Sequence, residues 1–416
     1  MLRPMLGLHI RSMLDSPKTN PMQPLANVIL KKGKEESMER FHPWVFSGAI
    51  DRIDGTIEEG DLVSVSRSDG KIIGYGHCAI GSIAVRIFSF GETIPGDEFW
   101  EYRITQAYLL RQKIGLTDAP DTNVYRLIHG EGDGMPGLIA DYYNGTVVLQ
   151  AHTLGMWLVR EAITDALKAV LGTKLSAVYD KSAKTLPFKA NIEAKDGYLY
   201  GTSSAGEVLE YGSRFKVDWM EGQKTGFFID QRENRKLLAT FAKDKAVLNM
   251  FCYTGGFSFS AMQGGALLVH SVDSSAKAIA LTNENVDLNF PGDTRHEAFV
   301  ADAFDFMQEI KNKYDVIVLD PPAFAKHRNA LSQALQGYKR LNAKAFQQIR
   351  PGGILFTFSC SQVVTRNNFR EAVFSAAAIA GREVRILHQL SQPADHPINI
   401  FHPEGEYLKG LVLYVE

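Results

Sequence analysis

The chain reads as an α/β protein: a C-terminal doubly wound parallel sheet, preceded by a small α+β middle domain and an N-terminal all-β module. Three observations predict it. From about residue 235, short apolar runs alternate with helix-period segments. From Val28 to about Phe90 the apolar runs are closely spaced and punctuated by glycine. The length, 416 residues, suggests two or three domains at ~150 residues each. With 45% hydrophobic and 22% charged residues, disordered and collagen-like chains are excluded.

Residues 1–26 carry four Met and four Pro, with an apolar run too short for a signal-peptide core, and read as a disordered extension. Residues 27–95 give strand candidates at Asn27–Leu30, Asp61–Ser66, Lys71–Gly76 and Ile83–Phe88. Lys31, Lys32 and Lys34 lie beside the aromatic His42–Phe46 stretch, and residues 1–34 hold six Lys/Arg against one Asp. That pattern fits RNA contact as well as it fits a solvated lysine run. Residues 96–204 carry helical periodicity at 98–115 and 156–171, with short strands between. The glycine-rich loop His129–Gly137 among them reads first as a structural turn.

Residues 205–416 carry buried-strand candidates at Ala246–Phe251, Leu267–Asp273, Glu297–Asp302, Tyr314–Asp320 and Ile354–Phe358. The final strand, Tyr407–Val415, arrives without a helix before it, which predicts antiparallel insertion into the sheet. Open α/β sheets bind ligands beyond the carboxyl ends of their strands. At those ends stand Tyr253, Thr254, Gly255 and Gly256, then Asp273, then Asp302 and Ala303, then Asp320. Each acid alone also fits a helix cap. Their ordered succession points instead to a nucleoside-bearing ligand: a glycine turn for close approach, and Asp273, 18 residues beyond Gly255, for a ribose diol. The absence of GxGxxG argues against a dinucleotide.

Four segments, Gly222–Arg232 (GQKTGFFIDQR), Leu248–Phe257 (LNMFCYTGGF), Leu319–Phe324 (LDPPAF) and Phe358–Ser361 (FSCS), carry a family resemblance. The chain resembles a class I S-adenosylmethionine-dependent methyltransferase. It is most similar to the bacterial 23S ribosomal RNA cytosine-5 methyltransferase family, from about residue 27 to the end. The resemblance implies a PUA-like RNA-binding barrel at the N-terminus and a Rossmann-like catalytic domain at the C-terminus. It implies S-adenosylmethionine as cofactor, with Tyr253, Thr254, Gly255 and Gly256 around its methionine part, Asp273 at the ribose, and Asp302 and Ala303 at the adenine. Asp320 would bridge cofactor and target base, and a segment bearing Asp230 and Arg232 would close over the cofactor.

Cytosine C5 is a poor nucleophile, so its methylation needs a group that adds at C6, and a thiolate does this best. Cys252 and Cys360 each follow a strand, Cys252 at the glycine turn; the Ser-Cys-Ser context and the family resemblance imply Cys360 as the nucleophile, with Asp320 as the second catalytic residue, while Cys78 reads as a core residue. Many RNA cytosine-5 methyltransferases carry a second cysteine just after the strand-end Asp, where this chain has Ala323. The Asp-Pro-Pro-Ala-Phe motif also resembles that of amino-group methylators, so methylation of a guanine nitrogen is the alternative.

The formal charge is −2, so any RNA-binding surface has to be local. From residue 321 to 370 there is no Asp or Glu, where the chain average predicts about five or six, yet eight Lys/Arg occur. Lys326, Arg328, Lys339 and Arg340 among them are the candidate phosphate contacts. Three scattered cysteines suit a reducing compartment, so the expected location is cytoplasmic. Ribosomal RNA is the expected partner; no membrane and no metal are expected, and a homodimer is left open.

Overall fold

The computed structural model describes residues 24–187, 192–203, 206–325 and 327–416. Contacts divide the chain into two compact units meeting in sequence between Trp100 and Glu101. Most of the segment expected to disorder, residues 1–23, and the expected boundary at 204/205 lie outside the described residues.

The first unit is a six-stranded sheet of β1 (Ala26–Leu30), β2 (Trp44–Phe46), β3 (Ile50–Asp54), β4 (Leu62–Ser66), β5 (Ile72–Cys78) and β6 (Ile83–Phe90), in the order β2-β6-β5-β4-β1-β3. Only the β1–β4 pair is parallel. Alternating positions Val28, Leu30, Val63, Val65, Val85 and Ile87 fill its core. Cys78 sits in that core, its thiol donating to the Glu58 carbonyl at 2.6 Å, and burial pushes its pKa up to about 11.

The second unit contains a five-stranded sheet of β7 (Val124–His129), β8 (Leu138–Tyr143), β9 (Thr146–Ala151), β10 (Ala177–Asp180) and β11 (Gly197–Tyr200). A hairpin of β12 (Glu207–Glu210) and β13 (Ser213–Lys216) follows. The loop His129–Gly137 is structural: Asp133 in it forms a bidentate pair with Arg111, and a Cβ on Gly132 would lie 1.9 Å from the Pro397 carbonyl oxygen.

The seven-stranded sheet comprises β14 (Ala246–Met250), β15 (Leu268–Asp273), β16 (His296–Val300), β17 (Val316–Leu319), β18 (Gly353–Ser359), β19 (Val384–Leu390) and β20 (Lys409–Val415), ordered β16-β15-β14-β17-β18-β20-β19. β14 to β18 run parallel, and β20 inserts antiparallel between β18 and β19, as its approach without a helix predicts. β19 was not legible in the sequence. It is an edge strand whose Arg385, His388 and Gln389 break the apolar pattern that marks a buried strand. Apolar residues on both sheet faces, among them Val247, Phe259 and Phe356 on one and Leu248, Ile317 and Phe346 on the other, make two cores. The order of strands reverses between β14 and β17, β15 and β16 being added on one side and β17 and β18 on the other, so the crevice beside the carboxyl end of β14 is the place for a ligand.

Candidate active site

A cavity of about 320 Å³ opens at that crevice. Tyr253, Thr254, Gly256, Asp273, Asp230, Asp320 and Cys360 line it, together with Lys224, Phe228, Gln231 and Arg235.

β14 enters the cavity through a tightly wound turn in which Phe251, Tyr253 and Gly255 all have positive φ. Gly255 does not line the cavity. Its φ of 84° makes the turn, and a Cβ there would lie 2.7 Å from Phe259. The helix Gly256–Gln263 then begins at the cavity wall. Asp273, at the end of β15, accepts hydrogen bonds from the amides of Tyr253 at 3.0 Å and Ser275 at 2.9 Å. That fixes the carboxylate and leaves its remaining lone pairs for a ligand hydroxyl.

The segment from Gly222 to Gln231 forms the facing wall. The Tyr253 hydroxyl accepts from the Gln223 amide at 3.1 Å, and its ring meets Phe228 edge to face at 5.0 Å. The five-stranded sheet holds the other side: Gln150 donates to the Lys224 carbonyl, and Thr225 donates to Asp141, which is in a bidentate pair with Arg126. Asp230 is buried, 3.3 Å from Lys224 Nζ, and accepts from the Tyr407 hydroxyl at 2.8 Å. Against burial, which would raise its pKa, Lys224, His396 and Arg126 hold it below the usual carboxylate range. Its Oδ1 is buried with no protein partner among the described residues. Such an orphaned acceptor inside a cavity fits a ligand cation.

Asp320 follows β17 and points to the same space. Desolvation, then the charge of Asp230, pushes its pKa up to about 7, while a hydrogen bond from Gln231 opposes the rise. Cys360 follows β18, half-buried, with Sγ 4.0 Å from the Pro321 carbonyl oxygen. Burial pushes its thiol up to about 11, with Lys224 opposing. The two loops are tied together: Ser361 donates to the Ala325 carbonyl at 2.5 Å, and Ser359 donates to the Tyr338 hydroxyl, whose ring stacks on Phe324. Cys252 also follows a strand but is buried against Thr282, and burial pushes it up to about 12.

Other expected site residues stand elsewhere. Asp302 is an exposed helix cap, accepting from the amides of Phe304 and Asp305, and neither it nor Ala303 lines the cavity. Arg232 does not reach the cavity either. It is 1% exposed, paired with Asp395 at 2.7 Å and bonded to the Val124 carbonyl, so it braces the wall from behind. Arg235, three residues on, supplies the lining guanidinium and pairs bidentately with Glu210. Neither Arg235 nor Lys224 was singled out from sequence, because nothing in the local pattern tells a lining cation from a bracing one.

Lys32 and Lys34 are exposed, and the exposed Lys31 donates to the Gly48 carbonyl. Lys326 lies outside the described residues. Arg328 is exposed, and Lys339, Arg340 and Lys344 share an open cleft with Phe304 and Ile379. The acid-free stretch is not uniformly cationic in the fold. Arg350 pairs with Asp315 at 2.7 Å and Arg366 with Glu406, acids supplied from outside the stretch.

Comparison with known proteins bears on this geometry. A family described as S-adenosylmethionine-dependent methyltransferase matches residues 125–399, and a PUA-like domain matches residues 28–90. A putative S-adenosylmethionine-dependent methyltransferase from Streptococcus mutans shares the fold at a TM-score of 0.79 and 21% identity, covering 93% of this chain and 99% of that one. A putative methyltransferase solved in complex with SAH superposes at 0.80 with 22% identity over the same shares. Fold and cavity thus define a class I methyltransferase that uses S-adenosylmethionine. Ribosomal RNA large subunit methyltransferase I of Aeromonas hydrophila is 40% identical over 398 residues, 93% of this chain and 99% of the relative. That of Tolumonas auensis is 40% identical over 394 residues, 93% and 98%. The chain belongs to this S-adenosylmethionine-dependent methyltransferase family.

Proposed function

We propose that the protein transfers a methyl group from S-adenosylmethionine to C5 of a cytosine in large-subunit ribosomal RNA, through a covalent bond to Cys360, in the cytoplasm. The observation that carries the reading is the meeting of a half-buried thiol and a carboxyl held protonatable near neutrality, Cys360 and Asp320, in one cavity. A nitrogen methylator has no use for the thiol. The relatives' names supply the ribosomal RNA.

The residues present fit the cofactor. The orphaned Oδ1 of Asp230 would take its ammonium and Asp273 its ribose, while Tyr253, Thr254 and Gly256 border the space between. When bound, the cofactor supplies an electrophilic methyl group. Cys360 Sγ forms a bond to C6 while protonated Asp320 donates to N3, which leaves C5 electron-rich and able to take the methyl group. Loss of the C5 proton and cleavage of the C6–S bond then release the product. With Ala323 where a second thiol would stand, that proton goes to another group or to water. Lys32 and Lys34 in the first unit, and Arg328, Lys339 and Arg340 in the second, would contact phosphates.

RNA bearing 5-fluorocytosine at the target cannot lose the C5 proton. It should accumulate as an adduct with the wild-type protein and S-adenosylmethionine, mapped to Cys360 by mass spectrometry. Methylation at a guanine nitrogen, read at nucleotide resolution in ribosomal RNA from wild-type and deletion strains, would overturn the reading.

A further inference from the structure

Lys409 opens β20 and is 2% exposed. Among the described residues it has no carboxylate within ion-pair distance. Its ammonium donates instead to the Ser361 carbonyl at 2.6 Å and the Tyr407 carbonyl at 2.7 Å. An ammonium buried against two neutral acceptors carries an uncompensated desolvation cost. The register shows where compensation can come from. Lys409 lies directly across from Ser359 on β18, and its head group is fastened to the carbonyl of Ser361, so it straddles Cys360.

We propose that Lys409 is a positioning residue for Cys360: its ammonium holds the loop Ser359–Ser361 and stabilises the thiolate that attacks the base. This rests on the reading of Cys360 as nucleophile. The ionisation is simple, with the thiol proton leaving to water on the exposed side of the sulfur and the thiolate remaining beside the ammonium. Burial lowers the Lys409 pKa to about 8, and the Cys360 charge raises it again. Coupling of two titrating sites is reciprocal, so the lysine must lower the thiol as the thiolate raises the lysine. The other charges facing Lys409 are Glu406 and Arg366, which pair with each other, and those facing Cys360 are Lys224, Asp320 and Asp230. Two cations thus bear on the thiolate: Lys224 lines the cavity with Cys360, and Lys409 is bonded to the carbonyl of the next residue. The Lys409 contribution is present while it is protonated and fades as pH rises through about 8.

The test is alkylation of Cys360 by iodoacetamide in the full-length protein, with the rate followed against pH and the site assigned by mass spectrometry. Lys409→Met should slow the reaction roughly ten-fold near pH 7.5, the equivalent of about one pKa unit, with the difference from wild type ceasing to grow above about pH 8. Lys409→Arg should stay within about three-fold of wild type, because it keeps the cation. An unchanged curve in a Lys409→Met protein that still binds S-adenosylmethionine overturns the proposal. Should that variant not fold, a second measurement needs no change at Lys409. In the wild-type protein the alkylation rate should rise less than ten-fold per pH unit as the lysine loses its charge around pH 8, and a uniform ten-fold rise per unit through that range also overturns the proposal. Neither readout involves RNA. A positive result here with no 5-fluorocytosine adduct would retain the coupling and discard the cytosine-5 reading.

Discussion

The two halves of the sheet's carboxyl edge are built differently. At β14 and β15 the chain presents backbone and a fixed carboxylate: three positive-φ residues wind the turn, and Asp273 is bonded to two amides before any ligand arrives. At β17 and β18 it presents groups whose ionisation burial opposes, Asp320 raised to about 7 and Cys360 to about 11. A preset hydrogen-bonding surface binds a ligand without reorganising. A pair of groups kept away from their ordinary protonation states can exchange protons during a reaction. On the proposed reading the first half holds the cofactor and the second carries the chemistry. Asp230 and Lys224 line the same cavity, and their charges act on Asp320 and Cys360.

The largest expected effect strikes the second half alone. Cys360→Ala should lose turnover by at least about a thousand-fold while binding S-adenosylmethionine nearly as wild type, since the nucleophile has no substitute. Calorimetry and a methyl-transfer assay together decide it, and normal turnover would transfer the site to the nitrogen-methylating class.

Asp320→Asn should cost about 10²- to 10⁴-fold in rate, the range for a lost proton donor. Wild-type activity attributable to that donor should be present below about pH 7 and fall as pH rises through it. Stability also falls with rising pH, over a lower range. The folded-state pKa lies above the unfolded value, so stability is lost as pH climbs from about 4 to about 7 and the unfolded carboxyl ionises first. Asparagine mimics the protonated acid. The variant should therefore gain in Tm over wild type at pH 8 and match it near pH 4, and equal Tm values at both would remove Asp320 from the desolvated half.

The first half is probed by Asp273→Ala. Losing a charge-assisted hydrogen bond should weaken S-adenosylmethionine by about 1.5 to 3 kcal/mol, roughly ten- to a hundred-fold, with the alkylation rate of Cys360 unchanged. If both move together, the division of the edge is wrong.

RNA affinity should fall with salt, and Lys339→Glu with Arg340→Glu should weaken it several-fold and shallow the slope, leaving cofactor affinity intact. Reversing Arg350 would instead break its pair with Asp315 and should show first in stability. The smallest effect belongs to Cys252→Ala, which should still form the 5-fluorocytosine adduct, because that thiol is buried against Thr282.

Much of the architecture was legible in the sequence because it rests on local regularities. The runs at β14 to β18 are apolar on both faces, as a doubly covered parallel sheet requires, and the ligand-bearing residues follow them directly. The antiparallel entry of β20 follows from the missing helix. Gly255 was legible because its positive φ demands glycine whatever surrounds it, while a Cβ on Gly256 would lie 2.9 Å from the Arg235 side chain. β19 escaped because an edge strand has only one neighbour to satisfy and carries charges where a buried strand could not.

Position in a strand-helix sequence thus pointed to most of the residues that reach the carboxyl edge, and the family resemblance, with the chemistry of a thiol, marked Cys360 and Asp320. Which charges meet was decided only by the tertiary structure. Arg232 turns to Asp395 and Arg235 to the cavity wall, although both sit on one short helix. Arg350 and Arg366 find acids far along the chain, at Asp315 and Glu406. Lys409 comes to lie across from Ser359, one residue before Cys360, through strand pairing across 50 residues of sequence. The reason is physical: a helix or strand is set by periodicity over neighbouring residues, whereas a side chain's charge partner and burial depend on which distant segments the fold brings within a few ångströms.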